Sequence, residues 1–218
     1  MNVLPNVEES YTVEVMRKAI HLSSLSIPIV YFFVDRFVAL SVLLPLTFAF
    51  TLSDVLRLYH KPTGRVYERY LGFLLRRHER NDHGRRLNGA TYVLLSASIC
   101  VLFFPKVIVV TAFAILIVSD SAAALIGRRF GRHRFFGKSF EGAGAFFFTA
   151  VVVVFIAPKV LYIPAEYLIG IGGALFGAIV ESSPLPVDDN LSIPIAIGAI
   201  MWGCYALFLP AVNVFALG

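Results

Sequence analysis

Asp188, Asp189 and Asn190 follow one another directly before a long apolar run, after a turn punctuated by Pro184 and Pro186. One of the three is suited to cap the helix that follows, accepting backbone N–H bonds through its side-chain oxygen. A cap uses one residue and leaves an acidic pair to be explained. Adjacent carboxylates facing a basic loop suit Mg²⁺, which takes one or two carboxylates together with phosphate oxygens and water. Just upstream, Gly170, Gly173, Gly177 and Glu181 recur at i, i+3, i+7 and i+11, so one smooth helix face ends in a carboxylate. The plain structural alternative is a helix-packing face followed by a cap.

The stretch from Ser119 to Ala145, SDSAAALIGRRFGRHRFFGKSFEGAGA, is richer. Asp120 stands near the end of an apolar run, where an acidic side chain is costly and is by default a functional candidate. Ala124, Gly127 and Gly131 follow at i+4, i+7 and i+11, a small-residue face open to close approach by a helix or a ligand. Five basic residues run from Arg128 to Lys138, then come Ser139 and Glu141-Gly142. Gly137-Lys138-Ser139 is not a Walker loop, because the preceding glycine spacing is wrong and no strand leads in. Glycines, cations and two carboxylates together are nonetheless the ingredients of a metal–nucleotide site. Helix packing plus a basic anchoring loop is the structural alternative.

Two further clusters are basic. In VEVMRKAIHLSS, Arg17 and His21 share a helical face with Lys18 beside it, either to grip phosphate oxygens or to anchor the helix at a membrane surface. Between Arg57 and Asn88, the residues Val66, Tyr70, Phe73, Leu74 and Arg77 recur at helical spacing. That pattern predicts an amphipathic helix lying in the interface, its cations toward anionic headgroups. Glu79 sits among arginines, and Asp54 most simply pairs with Arg57 at i+3.

The elements that must position these groups are apolar. The 218 residues are 58% hydrophobic and 15% charged, with mean hydropathy +0.78. A soluble domain would carry about a quarter charged residues, so an ordinary water-soluble domain is excluded. Apolar runs at 19–34, 37–56, 88–104, 107–126, 142–157, 164–180 and 191–217 predict an all-α polytopic membrane protein of about seven spans, the alternative being six with one re-entrant segment, and polar flanks lengthen the shorter ones. Alternate connections then hold sixteen basic residues on one side and three (Arg36, Lys106 and Lys159) on the other. By the positive-inside rule the first side, with the N-terminus, is cytoplasmic. In such a chain the net charge of +5 reports topology and not nucleic acid. Twelve of the fourteen acidic residues fall on or near the same side, Asp35 and Glu166 being the exceptions, so the polar chemistry is expected at the inner face. The polar, acidic first 18 residues are the wrong start for a cleavable signal peptide. Cys100 and Cys204 lie inside apolar runs and read as packing residues. The expected organisation is one membrane-embedded domain over 1–218, with a basic cytoplasmic loop at 57–87, in the inner membrane if the cell is prokaryotic.

Taken in order, these strings resemble the CTP-dependent lipid kinases: dolichol kinase, phytol and farnesol kinases, and the yeast-type CTP-dependent diacylglycerol kinase. The resemblance rests on Arg17-Lys18 with His21, on Gly89–Tyr92 (GATY), on Asp120 through Gly127 and Gly131 to Lys138-Ser139 and Glu141-Gly142, and on Glu181 with Asp188-Asp189-Asn190. In size the chain is similar to the short prokaryotic and phytol-kinase-like members. Phosphatidate cytidylyltransferases share the middle stretch but carry a later Lys-Asp and His-Gly-Gly signature that is missing here. A lipid transporter would place its ionisable groups near the bilayer midplane. The resemblance implies transfer of the γ-phosphate of CTP to a membrane lipid alcohol, with Mg²⁺ held by Asp120, Glu181, Asp188 and Asp189 and Glu141 as a further candidate. It implies that Arg17, Lys18, His21, Gly127, Arg128, Gly131, Lys138, Ser139, Glu141 and Asn190 surround the nucleotide phosphates. Asp120 and Asp188 are each suited to accept the hydroxyl proton as well as to hold the metal.

Overall fold

The computed structural model describes residues 7–60, 64, 87–136 and 138–216, and of residues 7–10, 12 and 13 the backbone only. Its elements are α1 (Val7–Ser23), α2 (Ser26–Phe33), α3 (Arg36–Tyr59), α4 (Gly89–Phe103), α5 (Lys106–Phe130), β1 (Arg134–Phe135), β2 (Lys138–Ser139), α6 (Phe140–Ile156), α7 (Pro164–Ser182) and α8 (Asp189–Phe208). Four of the helices, α3, α5, α7 and α8, are long and apolar enough to cross a membrane, and α4 and α6 are shorter apolar helices. The chain is a helical membrane protein. The amphipathic segment expected around Val66–Arg77, and Glu79, lie outside the described residues.

Local chemistry sets the helix boundaries. Asp35, Asn88 and Ser139 cap α3, α4 and α6, each accepting the backbone N–H three residues on, at 2.9, 2.9 and 3.1 Å. Pro164 opens α7, where its missing N–H is harmless. The first apolar run is not one helix. Pro28 has no N–H for the Ser24 carbonyl and its ring crowds it, so the backbone tightens to the i+3 bonds Ser24 to His21, Leu25 to Leu22 and Ile27 to Ser24. The last run also differs from expectation: α8 ends at Phe208, ahead of Pro210, and the tail turns back so that Phe215 meets Trp202 edge-on. Flanking residues add Phe140 and Glu141 to α6 and Glu181 and Ser182 to α7, but nothing to α4. At 15 residues α4 rises about 22 Å, short of the hydrocarbon thickness of about 30 Å.

The centre of the bundle is α5, buried on almost every side from Lys106 to Ala123, as befits a helix apolar all round. Around it pack α1, α2, α6 and α8, with α7 closing against α6 and α8 and α4 bridging α3 and α8. Ile108, Phe113, Ile115, Leu116 and Ile117 meet Phe146, Ile193, Ile197, Met201 and Tyr205 in the core. The glycine face of α7 lets α8 approach closely, since a Cβ on Gly173 would lie 2.8 Å from Met201 and one on Gly177 2.7 Å from Ile197.

One departure from an all-helical chain connects α5 to α6. The antiparallel hairpin pairs Arg134 with Ser139 and Phe135 with Lys138. Phe136 takes the left-handed φ of 45° at its turn, a strained conformation for a bulky residue. Stacking of Phe135 on Phe140, at 4.3 Å between centroids, fixes the hairpin to the start of α6.

Candidate functional site

The hairpin carries Lys138 to the point where α7 ends and α8 begins. Its Nζ lies 2.9 Å from Glu181 Oε1 and 3.0 Å from Asp189 Oδ2, and it also donates to the Glu181 main-chain carbonyl. Burial by itself would lower the lysine pKa, but the charges of Asp189 and Glu181 outweigh it and hold the ammonium above its ordinary value. The charge of Asp120 acts on Asp189 too. Three carboxylates from α5, α7 and α8 thus share one neighbourhood.

From the other side α1 closes on the end of α5. Lys18, buried, donates to Asp120 Oδ2, and His21 Nε2 lies 3.7 Å from the same oxygen. Glu14, also buried, receives Arg17 at 2.8 Å and Arg128 at 2.9 Å. The pairing on α1 therefore differs from the expected Arg17–His21 face. Lys18 and His21, at i and i+3, look at α5, and Arg17 is drawn sideways to Glu14.

The remaining expected residues are placed as follows. Asp188 caps α8, its Oδ1 accepting the Asn190 N–H at 3.0 Å and the Asn190 side-chain amide at 2.9 Å. Asn190 is buried next to Gly89, where a Cβ would come 3.5 Å from its amide nitrogen. Gly127, Gly131 and Gly142 surround Ser139. A Cβ on Gly131 would stand 2.2 Å from the Gly127 carbonyl and 2.7 Å from Ser139 Oγ, and one on Gly142 3.1 Å from the Ala123 carbonyl. These small residues let α5 and α6 touch through backbone, with the Ser139 hydroxyl filling the gap. Glu141 turns to the hairpin, 2.8 Å from His133 Nδ1. That bond, with backbone N–H donors behind it, holds the Glu141 carboxyl down at about 2. Gly137 lies outside the described residues.

A second polar knot joins α3 to α4 beside this cluster. Asp54, fully buried, pairs with Arg57 Nε at 3.1 Å, the i+3 partner expected. It also accepts the Asn88 N–H at 2.7 Å, the Asn88 amide at 3.2 Å and the Thr91 hydroxyl at 2.7 Å. Thr91 belongs to the GATY string, so the structure gives that string a partner. Glu14 and Asn88 were not singled out by sequence reasoning. Glu14 precedes Arg17 by three residues, a spacing that becomes informative only once α1 is seen to begin before the apolar run. Asn88 was legible as a cap ahead of an apolar helix.

At the opposite end, Glu166 is buried and satisfied by the Val160 and Leu161 N–H groups and the Tyr205 hydroxyl at 2.9, 2.8 and 2.8 Å. Lys159 donates there to the Val154 and Ala157 carbonyls. This corner is a closed structural clasp.

Among the described residues no three His, Cys, Asp or Glu side chains converge to hold a metal by themselves. The donor set at Lys138 still fits Mg²⁺ arriving with phosphate. That ion needs only one or two carboxylates when phosphate and water complete its shell, and Glu181 and Asp189 already enclose one cation between them.

With this geometry in view, the chain is 31% identical over 191 residues to the uncharacterized protein RP860 of Rickettsia prowazekii, covering 86% of this chain and 93% of that protein. It is 28% identical over 169 residues to CTP-dependent diacylglycerol kinase 1 of Schizosaccharomyces pombe, covering 71% of this chain and 75% of the kinase. Against CTP-dependent diacylglycerol kinase 1 of Saccharomyces cerevisiae the figures are 27% over 208 residues, 84% and 70%. No family model matches the chain. No solved structure matches it either.

Proposed function

Since the chain belongs to one family with the Rickettsia prowazekii protein and is a distant relative of the two yeast CTP-dependent diacylglycerol kinases, we propose that it is a CTP-dependent lipid kinase that phosphorylates a membrane lipid alcohol. The γ-phosphate passes to the hydroxyl of a polyprenol, an isoprenoid alcohol of the phytol or farnesol type, or diacylglycerol, leaving CDP and a lipid monophosphate. The observation that carries this reading is the pairing of Lys18 with Asp120 and of Lys138 with Glu181 and Asp189, together with that of Arg17 and Arg128 with Glu14, at one end of the bundle.

Phosphoryl transfer asks mainly for positioning and charge stabilisation. Lys138, on a hairpin fixed to α6, is the cation best placed to meet phosphate oxygens, and Arg128 and Arg17 supply further positive charge around Glu14. Asp120, in the C-terminal half of α5, is the proton acceptor for the lipid hydroxyl, with Lys18 holding its carboxylate in orientation. Asp188 is committed through Oδ1 to capping α8 and aims Asn190 inward. Glu181 and Asp189 are the residues to hold Mg²⁺, which when bound neutralises phosphate charge. The site faces the cytoplasm in a seven-span arrangement, a reading supported by the sixteen basic residues on that side. CTP then enters from water and the alcohol reaches the site from the lipid.

The test uses CTP labelled either at the γ-phosphate or in the cytosine ring, incubated with the purified protein and a panel of lipid alcohols. Label from the γ-phosphate alone should enter the lipid. Ring label in the lipid, with release of pyrophosphate, would make the protein a cytidylyltransferase instead.

A further inference from the structure

The place that a nucleotide-bound cation would take between Glu181 and Asp189 is filled by a side chain. We infer that the Lys138 ammonium is a tethered stand-in for that cation, seated on the carboxylate pair until metal and nucleotide arrive together. This deepens the reading of the site given above and rests on it for the nucleotide's part.

All three acceptors of Lys138 are oxygens, two carboxylates and the Glu181 main-chain carbonyl. Oxygen is also the donor that a hard divalent cation selects. Glu181 and Asp189 repel each other and the charge of Asp120 also bears on Asp189, so a cation between the pair is favoured. Lysine suits the duty, being a compact charge with three donors on a flexible four-carbon stem. A metal ion alone must displace an ammonium that is tethered and hence present at high effective concentration. A metal–nucleotide complex supplies phosphate oxygens to which the same ammonium can transfer. Metal binding without nucleotide is therefore weak, and the two ligands enter as a unit.

Mn²⁺ alone, titrated into the detergent-purified full chain and followed by the electron paramagnetic resonance of the free ion, tests this without any turnover. Lys138→Met should bind Mn²⁺ at least about tenfold more tightly than wild type, since an opposite charge within about 4–6 Å changes the behaviour of a carboxylate by one to three decades. Lys138→Arg, which keeps the cation, should stay near wild type. Equal Mn²⁺ affinity in wild type and Lys138→Met would overturn the inference, as would equal tightening in both variants. Should Lys138→Met fail to fold, the wild type decides. Saturating Mn²⁺ must then raise the acylation of Lys138 by an amine-reactive reagent in peptide mapping, and unchanged labelling overturns the idea. A separate arm adds β,γ-methylene CTP to the wild type. Failure of that analogue to tighten Mn²⁺ sinks the nucleotide reading, while the nucleotide-free arms still decide the role of Lys138.

Discussion

The buried Lys18 ammonium of α1 is hydrogen-bonded to the Asp120 carboxylate in the C-terminal half of α5, which makes the proposed proton acceptor half of an ion pair. Asp120→Asn keeps the shape and removes the charge. Turnover should fall by about 10²–10⁴-fold, the usual contribution of a positioned acid or base. The melting temperature should fall as well, because the lysine is left buried opposite a neutral amide. Adding Lys18→Met should recover stability but not activity. A folded Asp120→Asn protein with near-normal CTP turnover would remove Asp120 from the mechanism.

The contact between α5 and α6 predicts a contrast among glycines. Gly131→Ala forces a methyl into the Gly127 carbonyl and Ser139, and should destabilise by about 1–3 kcal/mol, the range for overpacking. Gly144→Ala has nothing within 4 Å of the new methyl and should be neutral or slightly stabilising. Thermal unfolding of the two variants in the same detergent separates them, and equal losses would contradict the packing described.

The Asp54 knot grades its members. Thr91→Val removes one hydrogen bond and should lower stability by about 1 kcal/mol. Asp54→Ala removes the carboxylate that Arg57, Asn88 and Thr91 share and should be worse, about 3–5 kcal/mol. Equal unfolding midpoints for the two variants would show that the knot is not held by its charge.

Topology is read by labelling single cysteines placed at exposed positions. Phe136→Cys and Leu185→Cys should react with an impermeant thiol reagent only from the cytoplasmic side, and Tyr162→Cys only from the other. Labelling of the first two from opposite sides would separate the hairpin from the α7–α8 turn and dismantle the shared site.

Much of this was written in the local sequence. Apolar runs marked the helices, and Glu181 and Asp189 stood out as carboxylates at apolar boundaries, while the caps Asn88 and Ser139 were legible but not read as such. The break at Ser24 was also legible in principle, since Pro28 follows it by four residues, but a hydropathy run hides a proline. Pairing was harder to read. Nothing along the chain says that Lys138 and not Arg134 reaches Glu181, because hairpin register decides it. Likewise Lys18, and not Arg17, meets Asp120 through the rotation of α1 against α5, which only the packed bundle fixes.

Asp54, in the last turns of α3, grips Asn88 at the start of α4, so the end of one helix and the start of the next are pinned to each other. Insertions or deletions between His60 and Leu87 should therefore leave the pairing of α3 with α4 undisturbed. Length variation among relatives has a natural place to accumulate there, one step away from the charged cluster and without moving it.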